Sequence, residues 1–316
     1  MNARSPAVIR LALIGAGRWG RNYIRTIASL DDAALLGVAS RNPETASLVP
    51  PECSVVGDWR RLIESAEIDG IIVASPPASH AEILIAAAEA GKSVLVEKPL
   101  VTAQSQLPAI VTASARTSTT IMVEHTHLFH PAFRALKAEA EKYGPLRAIR
   151  SSAGARGPYR DDVSVLWDWA PHDVALGLDL APGPAEVLDA LVVARLAIGK
   201  AVAERLHLRL KLAGGAEYRI VLSTLDDRHR WFAADFNDCT LIYSDQAAHP
   251  LRFFRHSGAR VDEDGEALPV KPGLPLTVAV REFVSAIRAC DPRRDSLALG
   301  CQVVDIIARC EEMNGA

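Results

Sequence analysis

Residues 9–20 read IRLALIGAGRWG, an apolar run from Ile9 to Ile14 that stops at glycine and leads into Gly15, Gly17 and Gly20. The spacing is G-x-G-x-x-G. The segment that follows, Trp19 to Leu30, carries Trp19, Tyr23, Ile24 and Ile27 at helical spacing. A strand before the glycines and a helix after them predict a dinucleotide-binding turn. The first glycine permits the tight turn, the second lets a pyrophosphate approach the backbone, and the third lets helix and strand pack closely. The start of the helix offers N–H groups and a dipole that favours phosphate. Arg18 and Trp19 sit inside this loop and are expected to contact the cofactor with the glycines.

Outward from the loop, strand-like and helix-like segments alternate. Ala33 to Ala39, Gly70 to Ala74, Ser93 to Val96 and Thr120 to Val123 are short apolar runs. Between them lie WRRLIESA, with Asp58 in front as a cap, and Ala81 to Ala90, with Gly91 as its stop. This rhythm predicts an α/β Rossmann domain over residues 1–123, its parallel sheet covered on both faces. Ligands on such sheets bind outside the carboxyl ends of the strands, so the loops after Ile14, Ala39, Ala74, Val96 and Val123 should carry the chemistry.

The pattern then changes. Pro131 opens a helix that runs to Tyr143 and ends at Gly144-Pro145. Leu206, Leu208, Leu210 and Leu212 alternate with Arg205, His207, Arg209 and Lys211, a period of two that marks a strand with one polar face. Gly214-Gly215 and Tyr218 to Leu222 complete a hairpin, with further short strands from His229 to Tyr243. Helices are expected around Val278 to Ile287 and Ala298 to Cys310. Residues 124–316 therefore read as an α+β domain with a largely antiparallel open sheet, for substrate binding and oligomerisation.

Composition bounds the function. Of 316 residues, 49% are hydrophobic and 23% charged, which fits globular domains and argues against disorder. A net charge of −3 without a charged block gives no footprint for nucleic acid. The five cysteines, Cys53, Cys239, Cys290, Cys301 and Cys310, form no C-x-x-C pair and read as free thiols or buried small hydrophobes. The N-terminal stretch lacks the long apolar region of a leader, and no run is long enough to span a membrane. A cytoplasmic protein is the expectation.

The end of the second strand reports on the cofactor. NAD-specific sites place Asp or Glu there for the ribose 2′-hydroxyl. This chain has Ser40-Arg41, which can hydrogen-bond to a 2′-phosphate where a carboxylate would repel it. NADP is therefore favoured, with NAD as the alternative and a solvated arginine as the bland reading of Arg41.

Four motifs in order, GAGRWG, SPPASH (75–80), Glu97-Lys98-Pro99-Leu100 and Asp168-Trp169-Ala170-Pro171-His172-Asp173, resemble the Gfo/Idh/MocA oxidoreductases, the glucose–fructose oxidoreductase and inositol dehydrogenase family. VEHTHLFHPAF and VLWDWAPHD also look like members acting on nucleotide sugars. The resemblance implies that Ser75, Pro76 and His80 lie along the cofactor, Glu97 near the ribose, and His125 on the nicotinamide side. It also assigns catalysis to Lys98. Read from the residue alone, a lysine at the carboxyl end of a parallel strand can stabilise negative charge on a reacting oxygen.

Asp168 and His172 are four residues apart. If Pro171 begins a helix, both face one cleft, where His172 can take a hydroxyl proton and Asp168 can orient it. Arg156 and Tyr159, with Arg160, precede them and could hold an anionic substrate group. His125 and His127 share a strand face, but no ligand-like partner follows, so no metal is expected. The resulting expectation is hydride transfer at a carbinol or keto carbon of a sugar or nucleotide sugar, in a homodimer or homotetramer that binds neither nucleic acid nor membrane. The alternatives are an inositol- or dihydrodiol-type polyol dehydrogenase, a non-catalytic NAD(P)-sensing protein, and a glycosidase with tightly bound NAD.

Overall fold

The computed structural model describes residues 8–315. Residues 1–7, which entered the leader reading, lie outside them. The first elements are β1 (Ile9–Ile14), α1 (Gly20–Ala28), β2 (Ala33–Ala39), β3 (Ser54–Val56), α2 (Arg60–Ile63), β4 (Gly70–Val73), α3 (His80–Glu89), β5 (Ser93–Glu97), α4 (Leu107–Thr117) and β6 (Ile121–Glu124). There follow α5 (Pro131–Ala140), β7 (Ala148–Gly154), α6 (Val165–Leu180), β8 (Glu186–Ile198), β9 (Ala201–Lys211), β10 (Glu217–Ser223), β11 (His229–Asp235) and β12 (Thr240–Ser244). The chain ends with β13 (Leu251–Phe254), β14 (Glu266–Ala267), α7 (Pro275–Ala289) and α8 (Arg294–Gly315).

Two compact units form: Met1–Glu124 with Leu276–Cys301, and His125–Pro275 with Gln302–Ala316. The expected division at residue 123 falls beside the first boundary, but the second domain is not one block, because residues 276–301 pack with the first unit. Phe283 and Ile287 of α7 close over Gly70, where a Cβ would lie 2.6 Å from the Ile287 side chain.

In the first unit six strands run in the order β3-β2-β1-β4-β5-β6, every pair parallel. Leu11, Leu13, Ile71, Ile72, Leu95 and Met122 are fully buried, as strands covered on both faces must be. All carboxyl ends share one edge, so the loops after β1, β4 and β5 are neighbours there.

In the second unit eight strands run in the order β14-β13-β12-β11-β7-β10-β9-β8; β7 and β10 pair in parallel and the remaining pairs are antiparallel. Leu206, Leu208 and Leu210 point into the core, while Arg209 and Lys211 point out. α5 and α6 cover the apolar face. Phe133 of α5, Phe232 and Tyr218 meet there edge to face, with ring centroids 5.6 and 5.9 Å apart. On the other face a smaller cluster of Ala233, Ile242, Phe254 and Ala259 is flanked by Trp231 and Val261.

Pro171 does not begin a helix. Ser164 caps α6 by accepting from the Trp167 N–H at 3.3 Å, and Pro171 falls inside it. None of the five cysteines forms a disulfide, but Cys290 is exposed rather than a buried hydrophobe. Among the described residues no helix is long and apolar enough to cross a membrane.

Candidate active site

The glycine loop is shaped by contacts that exclude side chains at two positions and leave space at the third. Gly15 has φ +98°, and a Cβ on it would lie 2.7 Å from the Ala74-Ser75 peptide. A Cβ on Gly20 would lie 2.0 Å from the Gly15 carbonyl, while one on Gly17 would meet nothing within 4 Å. The closed positions bind the loop to β4 and α1; the open one faces the room a pyrophosphate needs. Trp19, the N-cap of α1, makes no side-chain cap, which leaves the helix start to a ligand.

Beside the loop lies a cavity of about 670 Å³ lined by Ala16, Gly17, Arg18, Arg21, Arg25 and Ser40, among others. Ser40 Oγ accepts from the Asn42 N–H at 3.1 Å and from Thr45 Oγ1 at 2.8 Å, so its own proton can be donated to a ligand oxygen. Arg41 is exposed and is not among the lining residues. The cationic side chains of the cavity are Arg18, Arg21 and Arg25, spaced i, i+3, i+7 along the glycine loop and α1. That spacing was available in the sequence. Three guanidinium groups, a donor hydroxyl and a capless helix start fit a phosphate-bearing dinucleotide.

The loops after β4 and β5 are tied to this one. Ser75 Oγ lies 2.7 Å from Ser79 Oγ, and Pro76 stands exposed beside them. His80 is fully buried, with Nδ1 2.9 Å from the Pro99 carbonyl and Nε2 3.0 Å from the Ser75 carbonyl. It therefore joins the two loops rather than presenting its ring at the surface. Burial lowers its pKa against the opposing pull of carbonyls from Ser75, Pro99 and Leu100. A neutral ring donates to only one of the two oxygens at a time.

Tyr23 of α1 donates from its hydroxyl to Glu97 Oε1 at 2.7 Å, and both residues are buried. Burial pushes the Glu97 carboxyl up to about 7, although the Tyr23 hydrogen bond and the Lys98 charge favour its ionised form. Lys98 follows at the end of β5, half-buried, before a cis bond to Pro99.

In the second unit, Asp168 and His172 lie one turn apart on α6. Asp168 Oδ1 accepts from Arg160 Nη1 at 3.2 Å, and Arg160 also grips Asp162 with two bonds of 2.8 and 2.7 Å. The next residue, Asp173, is fully buried and pairs with Arg230 at 2.7 Å, which anchors α6 to β11. The His127 ring meets the His172 ring edge to face at 5.1 Å. His125 is buried. Arg156 lies 3.3 Å from Asp227 in an exposed pair, and Tyr159 is exposed. Arg160 thus contacts the aspartate that the sequence reading singled out, whereas Arg156 is engaged elsewhere.

A glycine loop on a six-stranded parallel sheet, with a phosphate-fitting cavity beside it, defines a nucleotide-dependent enzyme of the Rossmann class. Residues 9–125 match the family model described as an oxidoreductase family with an NAD-binding Rossmann fold. A solved structure of a putative oxidoreductase from Magnetospirillum magnetotacticum is 43% identical, covers 97% of this chain and 100% of its own, and superposes with a TM-score of 0.90. The chain belongs to the Gfo/Idh/MocA oxidoreductase family.

Inositol 2-dehydrogenase from Acidiphilium cryptum is 33% identical over 139 residues, 42% of this chain and 41% of that protein. UDP-N-acetylglucosamine 3-dehydrogenase from Acidithiobacillus ferrooxidans is 26% identical over 181 residues, 54% of this chain and 53% of its own. Its solved structure shares the fold, with a TM-score of 0.82 at 22% identity over 97% of this chain and 98% of that one. By sequence, the chain thus matches about half the length, or less, of these curated relatives.

Proposed function

We propose that this protein transfers a hydride between a nicotinamide dinucleotide and a carbinol or keto carbon of a sugar or nucleotide sugar. The bound nicotinamide supplies or accepts the hydride. The chain's own groups manage charge and proton. Lys98 hydrogen-bonds to the reacting oxygen and stabilises negative charge on it. His172 takes the hydroxyl proton in oxidation and returns it in reduction. Arg160 holds Asp168, which orients the substrate beside His172.

The observation that supports this reading most is the stitching of Lys98 to the glycine loop. His80 joins the Lys98-Pro99 turn to Ser75, the Ser75 peptide abuts Gly15, and Tyr23 joins Glu97 to α1. A lysine with only a surface role has no need of that framework. For the cofactor we propose NADP over NAD, with the 2′-phosphate held by Ser40 and the arginines of the α1 side rather than chiefly by Arg41. We further place the protein in the cytoplasm, as a homodimer or homotetramer acting on a small molecule.

Calorimetric titration of NADPH and NADH into cofactor-free protein tests the cofactor reading. Arg21→Ala or Arg25→Ala should weaken NADPH about tenfold or more and leave NADH nearly unchanged, the worth of one charge-assisted hydrogen bond. Equal losses for both dinucleotides would count against a 2′-phosphate site. Turnover is then screened on aldoses, UDP-sugars and inositols with the preferred cofactor. Lys98→Met should lower kcat by about two orders of magnitude or more. Activity confined to inositols would point to the polyol reading, and tight cofactor binding without turnover on any of them to a sensor.

A further inference from the structure

The second unit holds two aromatic groups that the reaction just proposed leaves unused. His127 lies in the turn of residues 126–129, and Tyr243 lies on β12. The Tyr243 hydroxyl is 3.4 Å from His127 Nδ1, and the His127 ring stands at 87° to the His172 ring, 5.1 Å away. We infer that Tyr243 and His127 are positioning residues for His172: the phenol fixes the His127 tautomer, and the oriented His127 ring holds the His172 imidazole in place. The inference rests on the reading of His172 as the proton-transfer group.

The surroundings of Tyr243 fix the protonation state of its phenol. Its side chain is fully buried. Burial raises its pKa; Arg230 opposes this, and Asp245 and Asp173 add to it. The phenol therefore keeps its proton and is available to donate it; in the proposed arrangement Nδ1 of His127 accepts and the ring proton sits on Nε2. The other titratable neighbour is His130, whose ring lies 4.8 Å from that of Tyr243. His130 Nδ1 accepts the Ala132 N–H at 3.1 Å, and burial lowers its pKa against Asp245. It is thus committed as the cap of α5 and does not compete for the phenol proton.

The second contact then acquires a purpose. Two imidazoles edge to face are attracted through the polar edge of one ring and the π-face of the other, so the contact depends on which edge His127 presents. A His127 ring free to exchange tautomers or flip would present a different edge and release the His172 rotamer. Arg230 secures the frame, because it binds Asp173, the residue after His172, and lies beside Tyr243 and Asp245.

The test is nitrogen-15 spectroscopy of the full chain labelled at its nine histidines, with His127→Asn and His172→Gln used for assignment. In the wild type, His127 should show one neutral tautomer with an unprotonated, hydrogen-bonded Nδ1. Tyr243→Phe removes only the hydroxyl, and should both mix the His127 tautomers and shift the His172 resonances. His127→Asn and His127→Leu both remove the ring, so each should shift the His172 resonances, although Asn alone keeps an acceptor for Tyr243. A His127 tautomer unchanged in Tyr243→Phe, or His172 resonances indifferent to every His127 variant, would overturn the proposal. The spectra need no turnover. Retained activity in His172→Gln would therefore sink the proton-transfer reading without touching the Tyr243–His127 contact, and the two failures are separable.

Discussion

Glu97 and Lys98 are adjacent in the chain and differ in exposure, one buried and the other half-buried. The carboxyl is buried against Tyr23, and its pKa rises from 4.5 to about 7. The folded state therefore holds a proton that the unfolded chain has released between those values. Its contribution to stability is complete below pH 4.5, declines as pH rises, and is lost above about 7. The swing is about 3 kcal/mol. Glu97→Gln keeps an acceptor for Tyr23 and removes the titration. Urea unfolding at pH 5 and pH 8 should show the variant gaining on the wild type at the higher pH, and parallel pH dependence in both would place the effect elsewhere. At this scale the sequence was legible where backbone geometry forces residue type, as at Gly15 and Gly20. It was not legible where partners are remote in sequence. Nothing in the order of residues brings Tyr23 to Glu97 or Tyr243 to His127, and His80 gave no sign that its ring would be spent on two carbonyls.

The elements that carry these side chains were readable to different degrees for physical reasons. Rossmann strands are short apolar runs, and β1, β2, β4, β5 and β6 appear where those runs lie. The strand β8 escapes because its register slips twice, between Val187 and Asp189 and between Val192 and Ala194. Each bulge resets the alternation, so EVLDALVVARLAI has no steady period of two. Pro171 misled because proline favours the first turn of a helix, and here the Ser164 cap starts the helix six residues earlier. The same helix offers a test of packing. A Cβ at Gly177 would lie 2.3 Å from the ring of Tyr218. That ring is buried, and its hydroxyl is held by Asp173 O at 2.8 Å and Ser151 Oγ at 2.9 Å, so it cannot retreat. Alanine favours a helix over glycine by about 1 kcal/mol, whereas overpacking a core costs about 1–3. Gly177→Ala should therefore lower Tm with a net loss of up to about 2 kcal/mol, and a rise in Tm would show that the α6–β10 contact is slack.

For the molecule as a whole, the basic residues of β9 bear on whether its sheet face is fit to meet a second copy. Arginines on that face and along the neighbouring edge strand are matched within the chain. Arg209 pairs with Asp189, Arg205 with Asp226, Arg195 with Glu204 and Arg219 with Glu217. A matched set raises a smaller barrier to association than four unpaired cations would, and the net charge of −3 adds little repulsion. Next to it, the edge strand β8 exposes Leu188, Leu191, Val193 and Leu196, with Val202 on β9. Leu191 and Leu196 are each 54% exposed. A long apolar edge of this kind is a liability in a monomer unless another chain covers it. In a two-fold dimer each substitution counts twice, because the same patch serves both copies. Burying a leucine is worth about 1.5–3 kcal/mol, so Leu191→Glu with Leu196→Glu should remove roughly 6 kcal/mol or more, beyond the desolvation of four carboxylates. Light scattering at micromolar concentration should then find an oligomer for the wild type and a monomer for the double variant, with NADPH affinity unchanged. A monomeric wild type would mean that the edge is tolerated bare. An oligomer that survives both charges would place the interface on another surface.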